Sequence, residues 1–186
     1  IKGTAGRNLS NPEEDELNKE ALFKSAKDRA ENVMVVDLVR NDLSRVCKEG
    51  SVKVDELYGV YSFPQVHQLI STVSGELDEQ TTISQILKAS FPMGSMTGAP
   101  KKRVMQLIEQ YERTRRGIFS GALGYIDPQG DFDFNVVIRS IMYNQQDDCL
   151  SFQAGSGITH YSAAEAEWEE CLLKAAAIIN VLEKTT

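Results

Sequence analysis

Apolar and polar positions follow two different periods along the chain, and the period predicts which segments are helices and which are strands. Apolar residues recur every three or four positions in a helix and every second position in a half-buried strand. The predicted helices are 18–45, 82–91, 99–112 and 162–184, and the predicted strands are 51–62, 66–77, 118–127, 132–143 and 149–155. The strands follow one another in adjacent hairpins and do not alternate regularly with helices. This order predicts an α+β fold with antiparallel sheets.

Two details of the first helical region come from single residues. Asn11 is a suitable N-cap, Pro12 fits a first helical turn, and the acidic residues that follow complement the helix dipole. The run 33–36 contains β-branched residues that favour a strand. The pattern of 24–45 as a whole fits a helical wheel better, so a helix is predicted there.

Composition and charge exclude several classes of protein. The formal net charge is −7, which argues against general affinity for nucleic acid, and the 41% hydrophobic content suits a soluble core. No run of eighteen apolar residues or signal peptide is present, so we expect no membrane partner. Three scattered cysteines favour neither a zinc site nor a disulfide framework, which predicts a cytoplasmic protein. Because the chain opens on Ile1, we expect residues 1–186 to be the carboxyl-terminal portion of one larger domain in a longer polypeptide.

An acidic stripe on the last helix is the first candidate site. Glu167, Glu170 and Lys174 are spaced by three and four positions, which places them on one helical face. Such a stripe is either an ordinary solvated face or a set of oxygen donors for a hard cation such as Mg²⁺. Glu31, with Asp28 one turn before it, is a further candidate donor.

Arg139 and a glycine pair are candidate anion-binding groups. Arg139 has apolar neighbours, which predicts a mostly buried strand, and a buried guanidinium must meet an anion. That anion is either a core carboxylate or a substrate carboxylate. Gly155 and Gly157 follow a predicted strand, where they form either a plain turn or a close approach of backbone to ligand.

Three further residues could take part in chemistry, each with a plainer alternative. His67 could shuttle protons near neutral pH, although a buried histidine is more often structural. Thr97 lies in a loop that enters a helix and could offer amides to an anion, or could simply precede a capped helix. Lys2 could act as a nucleophile once neutral, although a lysine near a chain end is ordinarily exposed.

The chain resembles the chorismate-utilising enzymes over essentially its whole length. The matching motifs, in the family's order and approximate spacing, are E-N-V-M-V-V-D-L-V-R-N-D at 31–42, S-M-T-G-A-P-K at 95–101, I-R-S at 138–140, A-G-S-G-I at 154–158 and E-A-E-W-E-E at 165–170. Within that family, Lys2 in the opening I-K-G-T and Asn32 make the chain most similar to the aminodeoxychorismate synthases of folate synthesis. Anthranilate synthases typically carry alanine and histidine at these places. The resemblance implies sheets packed together with helices outside.

The resemblance also implies a role for each candidate residue. Mg²⁺ would be held by Glu31 and Glu170, with Glu167 as a further direct or water-mediated contact. The metal would bind the ring carboxylate of chorismate, and Gly3 and Thr4 would also contact this carboxylate. The remaining substrate-binding groups would be Arg139, Gly155 and Gly157 for the enolpyruvyl carboxylate, Lys174 for added positive charge, and Phe119 for packing. Phe119 replaces the tyrosine or tryptophan of relatives and cannot donate a hydrogen bond.

The implied reaction replaces the 4-hydroxyl of chorismate by an amino group. Lys2 would form a covalent intermediate at C2, while His67 and Thr97 would face the ring and its leaving hydroxyl. A glutamine amidotransferase partner would supply ammonia. The alternatives are an anthranilate synthase component I, which also eliminates pyruvate, and a catalytically silent subunit that binds chorismate.

Overall fold

The computed structural model describes residues 1–160 and 162–183. Contacts divide the chain into two compact units, residues 1–112 and residues from 113 onward. None of the helices in the described ranges combines the length and the apolar character that crossing a bilayer requires.

The first unit holds a small sheet with helices packed on it. Its elements are β1 (Thr4–Gly6), α1 (Pro12–Lys24), α2 (Ala26–Leu43), β2 (Lys53–Ser62), β3 (Val66–Ser74), α3 (Ile83–Ser90), a 3-10 turn (Gly94–Met96) and α4 (Lys101–Tyr111). The sheet is antiparallel with strand order β1-β3-β2. Strand β1 was not predicted, because it is only three residues long and ends in a glycine.

The predicted helix 18–45 is wrong as one continuous element, because it is broken at Ser25. Ser25 ends α1, and its hydroxyl accepts a hydrogen bond from the amide of Asp28 (3.2 Å) to cap α2. The cap at Asn11 is confirmed, since its side chain accepts from the amide of Glu14 (3.3 Å). The ambiguous run 33–36 is helical, as predicted.

The core of the first unit lies where α2 packs on β3. Its buried apolar side chains are Leu22, Val35, Val36, Val46 and Leu69. Leu69, in the middle of β3, is completely buried. Val35 and Val36, two of the β-branched valines that made 33–36 look strand-like, therefore supply the apolar face by which α2 covers the sheet, because tertiary burial outweighs their weak local preference.

The chain approaches α2 closely again at Gly94. A Cβ at Gly94 would lie 2.9 Å from Cβ of Leu38, so the contact requires glycine. The loop 97–100 follows, and α4 begins at Lys101, two residues after the predicted start.

Within its described residues, the second unit contains two short hairpins and a long helix. Its elements are β4 (Ala122–Ile126), β5 (Phe132–Val136), β6 (Met142–Asn144), β7 (Cys149–Ser151) and α5 (Ala164–Glu183). Strand β4 pairs with β5, and β6 pairs with β7, both antiparallel. The turn at 127–130 lies where it was predicted. Together with the first unit, these elements confirm the α+β class.

The prediction of one strand over 132–143 is wrong. Strand β5 ends at Val136, Arg139 adopts a positive φ of 50°, and β6 begins at Met142. Arg139 is therefore exposed in a turn and does not lie on a buried strand. Its apolar neighbours did not indicate burial, because most strand positions in these two hairpins are exposed.

Candidate functional site

Lys2 and Glu31 form an ion pair in the first unit. The Nζ atom of Lys2 lies 3.3 Å from Oε2 of Glu31, and the two side chains are 24% and 15% exposed. The expectation that a lysine near a chain end is simply solvated is therefore wrong for Lys2. Its amide donates to the carbonyl of Leu69 (3.1 Å), which holds the residue against β3 just before β1 begins.

Gly3 and Thr4 continue this attachment to β3. The carbonyl of Gly3 accepts from the amide of Leu69 (3.1 Å), and Thr4 pairs with Gln68. Gly3 has a φ of 98°, and a Cβ there would lie 3.0 Å from Cδ1 of Leu69 and 3.1 Å from Cβ of Asp28. Glycine thus lets the chain pass between α2 and β3, which brings Lys2 beside Glu31.

His67 is buried on β3 with both ring nitrogens hydrogen-bonded inside the protein. Its ring is 1% exposed; Nδ1 lies 2.8 Å from Oγ of Ser62 and Nε2 lies 3.1 Å from Oδ1 of Asp15. Asp15 also accepts from the guanidinium of Arg7, which holds the pKa of that carboxyl well below its ordinary value. This geometry favours the structural interpretation of His67 over proton transfer to or from a ligand.

Thr97 is half-buried after the 3-10 turn, and its hydroxyl donates to the carbonyl of Met93 (3.1 Å). The loop it begins is anchored at its far end, where Lys101 forms an ion pair with the buried Asp42 of α2. The pairing of Asp42 with Lys101 was not predicted from the sequence.

The acidic stripe on α5 has the predicted arrangement. The Nζ atom of Lys174 lies 2.6 Å from Oε1 of Glu170, and it also donates to the carbonyl of Gly155 (3.0 Å). Lys174 therefore attaches the glycine segment to α5. Glu167, one turn before Glu170, is 5% exposed. Near the same segment, the carbonyl of Gly157 accepts from the hydroxyl of Ser162 (3.4 Å).

The other substrate-binding candidates also lie in the second unit. Phe119 is half-buried in the turn that precedes β4, and its amide donates to the carbonyl of Arg116 (3.0 Å). Arg139 is exposed, and within the described residues its guanidinium forms no ion pair with a carboxylate.

The predicted magnesium ligands divide between the two units. Glu31 belongs to the first, whereas Glu167 and Glu170 belong to the second. In the ranges 1–160 and 162–183, no group of three His, Cys, Asp or Glu side chains is gathered in a way that could hold a metal ion. The donors themselves suit Mg²⁺, since all are carboxylate oxygens. Magnesium binding stays a prediction.

One polar residue beside Lys2 has a structural role that sequence analysis did not assign. Asn32 is 2% exposed, and its side-chain nitrogen donates to the carbonyl of Lys2 (3.2 Å). The sequence indicates that Asn32 faces the core, because it precedes the apolar Val35 and Val36 by three and four positions on the same helix. A polar side chain on the buried face of a helix needs a partner in the core.

Comparisons with known proteins support the same family that the sequence motifs indicate. The chorismate binding enzyme family matches residues 1–180. The chain is 47% identical over 185 residues to aminodeoxychorismate synthase component 1 of Escherichia coli (strain K12), covering 99% of this chain and 40% of that protein. It is 44% identical over 183 residues to anthranilate synthase component 1 of Aquifex aeolicus (strain VF5), covering 98% and 36%.

A solved structure of a related enzyme has the same fold over nearly the whole of this chain. The crystal structure of anthranilate synthase component I from Streptococcus pneumoniae TIGR4 matches with a TM-score of 0.76 and 34% identity, over 94% of this chain and 41% of that one. The chain spans about 40% of the length of the relatives it matches. The family match extends over nearly every residue, and the chain belongs to the chorismate-binding enzymes.

Proposed function

We propose that the full-length protein aminates chorismate at C4 to give 4-amino-4-deoxychorismate. The observation that carries the proposal is the ion pair of Lys2 with Glu31, which holds an amine at a defined, half-buried position. The similarity to aminodeoxychorismate synthase component 1 supports the same conclusion. An amine held in this way can act as a nucleophile once it is neutral.

The proposed chemistry has two steps that balance. In the first, the Lys2 amine bonds to C2 of the ring, the double bonds shift, and the C4–O bond breaks. The departing hydroxide takes up the proton that the ammonium has lost and leaves as water. In the second step ammonia bonds to C4, the double bonds shift back, and the C2–N bond breaks with its electron pair on the Lys2 nitrogen. The C4 nitrogen then loses a proton to become the neutral amine, and that proton regenerates the Lys2 ammonium. Covalent catalysis thus divides one difficult substitution into two easier ones.

The remaining residues are proposed to bind and orient the substrate. Arg139 and the backbone of Gly155 and Gly157 would hold the enolpyruvyl carboxylate. Arg139 is suited to this because it is exposed and its planar fork can bind a carboxylate through two hydrogen bonds. Lys174 would add positive charge beside them, which a doubly negative substrate requires in a chain of net charge −7.

Magnesium is proposed to bind at Glu31, Glu167 and Glu170, whose oxygens are the donors that it prefers. A bound divalent cation would neutralise the ring carboxylate of the substrate. Ammonia is proposed to come from a partner amidotransferase; the words "component 1" in the name of the Escherichia coli relative support a second component.

Anthranilate formation is the second candidate, and a specific observation favours it. The Aquifex aeolicus anthranilate synthase component 1 is nearly as similar to the chain as the Escherichia coli relative. The two activities differ in their products. Incubation of the full-length protein with chorismate, ammonium and Mg²⁺, followed by chromatography, is expected to give 4-amino-4-deoxychorismate. Anthranilate together with pyruvate would overturn the proposal.

A catalytically silent subunit would bind chorismate without converting it. Calorimetric titration with chorismate and Mg²⁺, run beside the product assay, separates this case from an enzyme. Binding without turnover would establish the silent subunit, whereas turnover excludes it.

A further inference from the structure

We propose that Asn32 is a positioning residue for Lys2: it fixes the backbone of Lys2 so that the ammonium stays at Glu31. This inference rests on the proposed function only in that Lys2 acts on the substrate. Asn32 follows Glu31 directly on α2. One residue therefore binds the end of the Lys2 side chain, and the next binds the carbonyl of the same lysine.

The Asn32 amide joins two chain segments in the core. Its nitrogen Nδ2 donates to the carbonyl of Lys2 (3.2 Å) and to the carbonyl of Leu69 on β3 (3.4 Å). The Leu69 carbonyl also accepts from the amide of Lys2. Both backbone polar groups of Lys2 are thus hydrogen-bonded, although Lys2 lies outside β1, where ladder pairing begins only at Thr4.

A second residue, Ser71, sets the orientation of this amide. The Ser71 hydroxyl accepts a hydrogen bond from the amide of Tyr58 (3.0 Å), so its single proton is available for Asn32. It donates that proton to Oδ1 of Asn32 (2.6 Å). With Oδ1 facing a donor, Nδ2 must face the two carbonyls. The hydrogen bonds therefore run in one direction, from Tyr58 through Ser71 to Asn32 and on to Lys2.

An irregularity in β2 supplies the first donor of this series. The pairing of β2 with β3 shifts register between Glu56 and Gly59, and Tyr58 within this bulge has a φ of 53°. A bulge removes a backbone amide from the ladder, and a half-buried amide needs another partner. Ser71 provides that partner. The Tyr58 ring is also held in place, since the guanidinium of Arg29 lies 4.8 Å from its centroid.

Backbone placement matters for a lysine nucleophile because the side chain is long and flexible. The Glu31 carboxylate restrains only its far end. If the carbonyl end were released, the ammonium could leave Glu31 by moving the whole residue. Misplacement of a reacting atom by about 1 Å can reduce rate by about a hundredfold.

The test uses four variants of the full-length protein. Asn32→Asp keeps the size of the side chain and the acceptor for Ser71, but it sets an oxygen against two carbonyl oxygens. Asn32→Ala removes the amide altogether. Ser71→Ala removes only the hydroxyl that orients the amide. It keeps the inference testable if either Asn32 variant fails to fold. The matched control is Asn41→Ala, an exposed amide on the same helix that accepts from Arg45 (3.1 Å).

Two measurements distinguish positioning from general destabilisation. The first is kcat and KM for chorismate. We expect kcat to fall by about tenfold or more in Asn32→Asp while KM changes little, because the buried Asn32 amide is hydrogen-bonded within the protein and acts through the position of Lys2. The second is trace acetylation of Lys2 by acetic anhydride, quantified by mass spectrometry. We expect severalfold faster labelling in both Asn32 variants, a smaller increase in Ser71→Ala and none in Asn41→Ala.

Unchanged Lys2 labelling in the folded Asn32 variants would overturn the inference, and so would an equal effect in Asn41→Ala. Failure of the proposed function would give a different experimental result. If Lys2→Ala turned chorismate over normally, Lys2 would lose its catalytic role, and the labelling experiment would still decide whether Asn32 positions it.

Discussion

Asp42 at the end of α2 and Lys101 at the start of α4 form an ion pair that is almost fully removed from solvent. The Asp42 side chain is 6% exposed and that of Lys101 is 18% exposed. Helix α4 has no side-chain N-cap of its own, since Pro100 occupies that position. The ion pair therefore connects the loop containing Thr97 to the helix that carries Glu31.

Replacing Lys101 is expected to destabilise the protein strongly. Lys101→Met leaves the Asp42 carboxylate buried without its cation, and breaking a buried pair in this way costs about 3–5 kcal/mol. The control is Lys102→Met, the exposed neighbour on the same helix. Thermal unfolding should show a large decrease in Tm for the first variant and almost none for the second.

The double variant Asp42→Asn with Lys101→Met separates charge from packing. It removes both charges, so it should recover much of the stability that Lys101→Met loses. Equal Tm values for Lys101→Met and Lys102→Met would contradict the assignment of Lys101 as an anchor.

Stability at acid pH should depend on Asp15. The hydrogen-bonded guanidinium of Arg7 holds the pKa of Asp15 well below its ordinary value of 3.8, assisted by bonds from the amide of Asn8 and from His67. As pH falls through about 3.9, the unfolded chain protonates this carboxyl while the folded protein does not. The unfolded state then binds more protons, so the free energy of unfolding decreases as the pH falls.

This contribution is present above the pKa of the unfolded chain and is lost as the pH falls toward the pKa of the folded protein. Asp15→Asn keeps an oxygen acceptor for His67 but cannot titrate, so its Tm should fall less steeply between about pH 5 and pH 2. Arg7→Met should also flatten the profile, because it removes the main cause of the shift. Parallel Tm profiles for wild type and Asp15→Asn would show that Asp15 contributes nothing to acid sensitivity.

The strongly patterned elements were predictable from the sequence. The valines at 33–36 were ambiguous in isolation, but the surrounding helical periodicity correctly identified α2. Short elements were not predictable, because β1 has three residues and depends on pairing with β3, a partner sixty positions away in the chain. Local patterns also did not show that Arg139 lies in a turn, since apolar neighbours occur in exposed hairpins as well.

The candidate site was predictable only in part, for a related reason. Spacing along α5 predicted that Glu170 and Lys174 would meet, because both belong to one helix. The pairing of Lys2 with Glu31 depends on β1 pairing with β3 and on α2 packing against β3, which no local pattern contains. The role of Asn32 depends on the same long-range contact, although its place on the apolar face of α2 marked it as a residue that needs a partner.

Removal of the Lys2 amine should reduce amination selectively. Lys2→Ala in the full-length protein is expected to lower kcat for 4-amino-4-deoxychorismate formation at least about tenfold, or about 1.4 kcal/mol in the barrier. Lys24→Ala removes an exposed lysine that pairs with Glu20 on the surface of α1 and serves as the control. Steady-state product assays should show the loss in the first variant alone. Unchanged turnover in Lys2→Ala would remove Lys2 from the mechanism.

Glu170 should control the dependence of activity on magnesium. Replacing a carboxylate ligand by an amide weakens binding of a hard cation, so Glu170→Gln is expected to raise the Mg²⁺ concentration for half-maximal turnover about tenfold or more, equivalent to about 1.4 kcal/mol. The exposed neighbour Glu169 gives the control Glu169→Gln, which should leave that concentration unchanged. Calorimetric titration with Mg²⁺ provides a readout that does not depend on turnover.

Glu170→Gln also removes the ion pair with Lys174, and a second variant separates the two effects. Lys174→Met removes the same ion pair but keeps the carboxylate. Because the ammonium competes with a metal ion for the Glu170 oxygen, its loss should leave Mg²⁺ affinity unchanged or increase it, even where substrate binding weakens. Weaker Mg²⁺ binding in Lys174→Met, equal to that in Glu170→Gln, would assign the effect to the ion pair and would exclude Glu170 as a metal ligand.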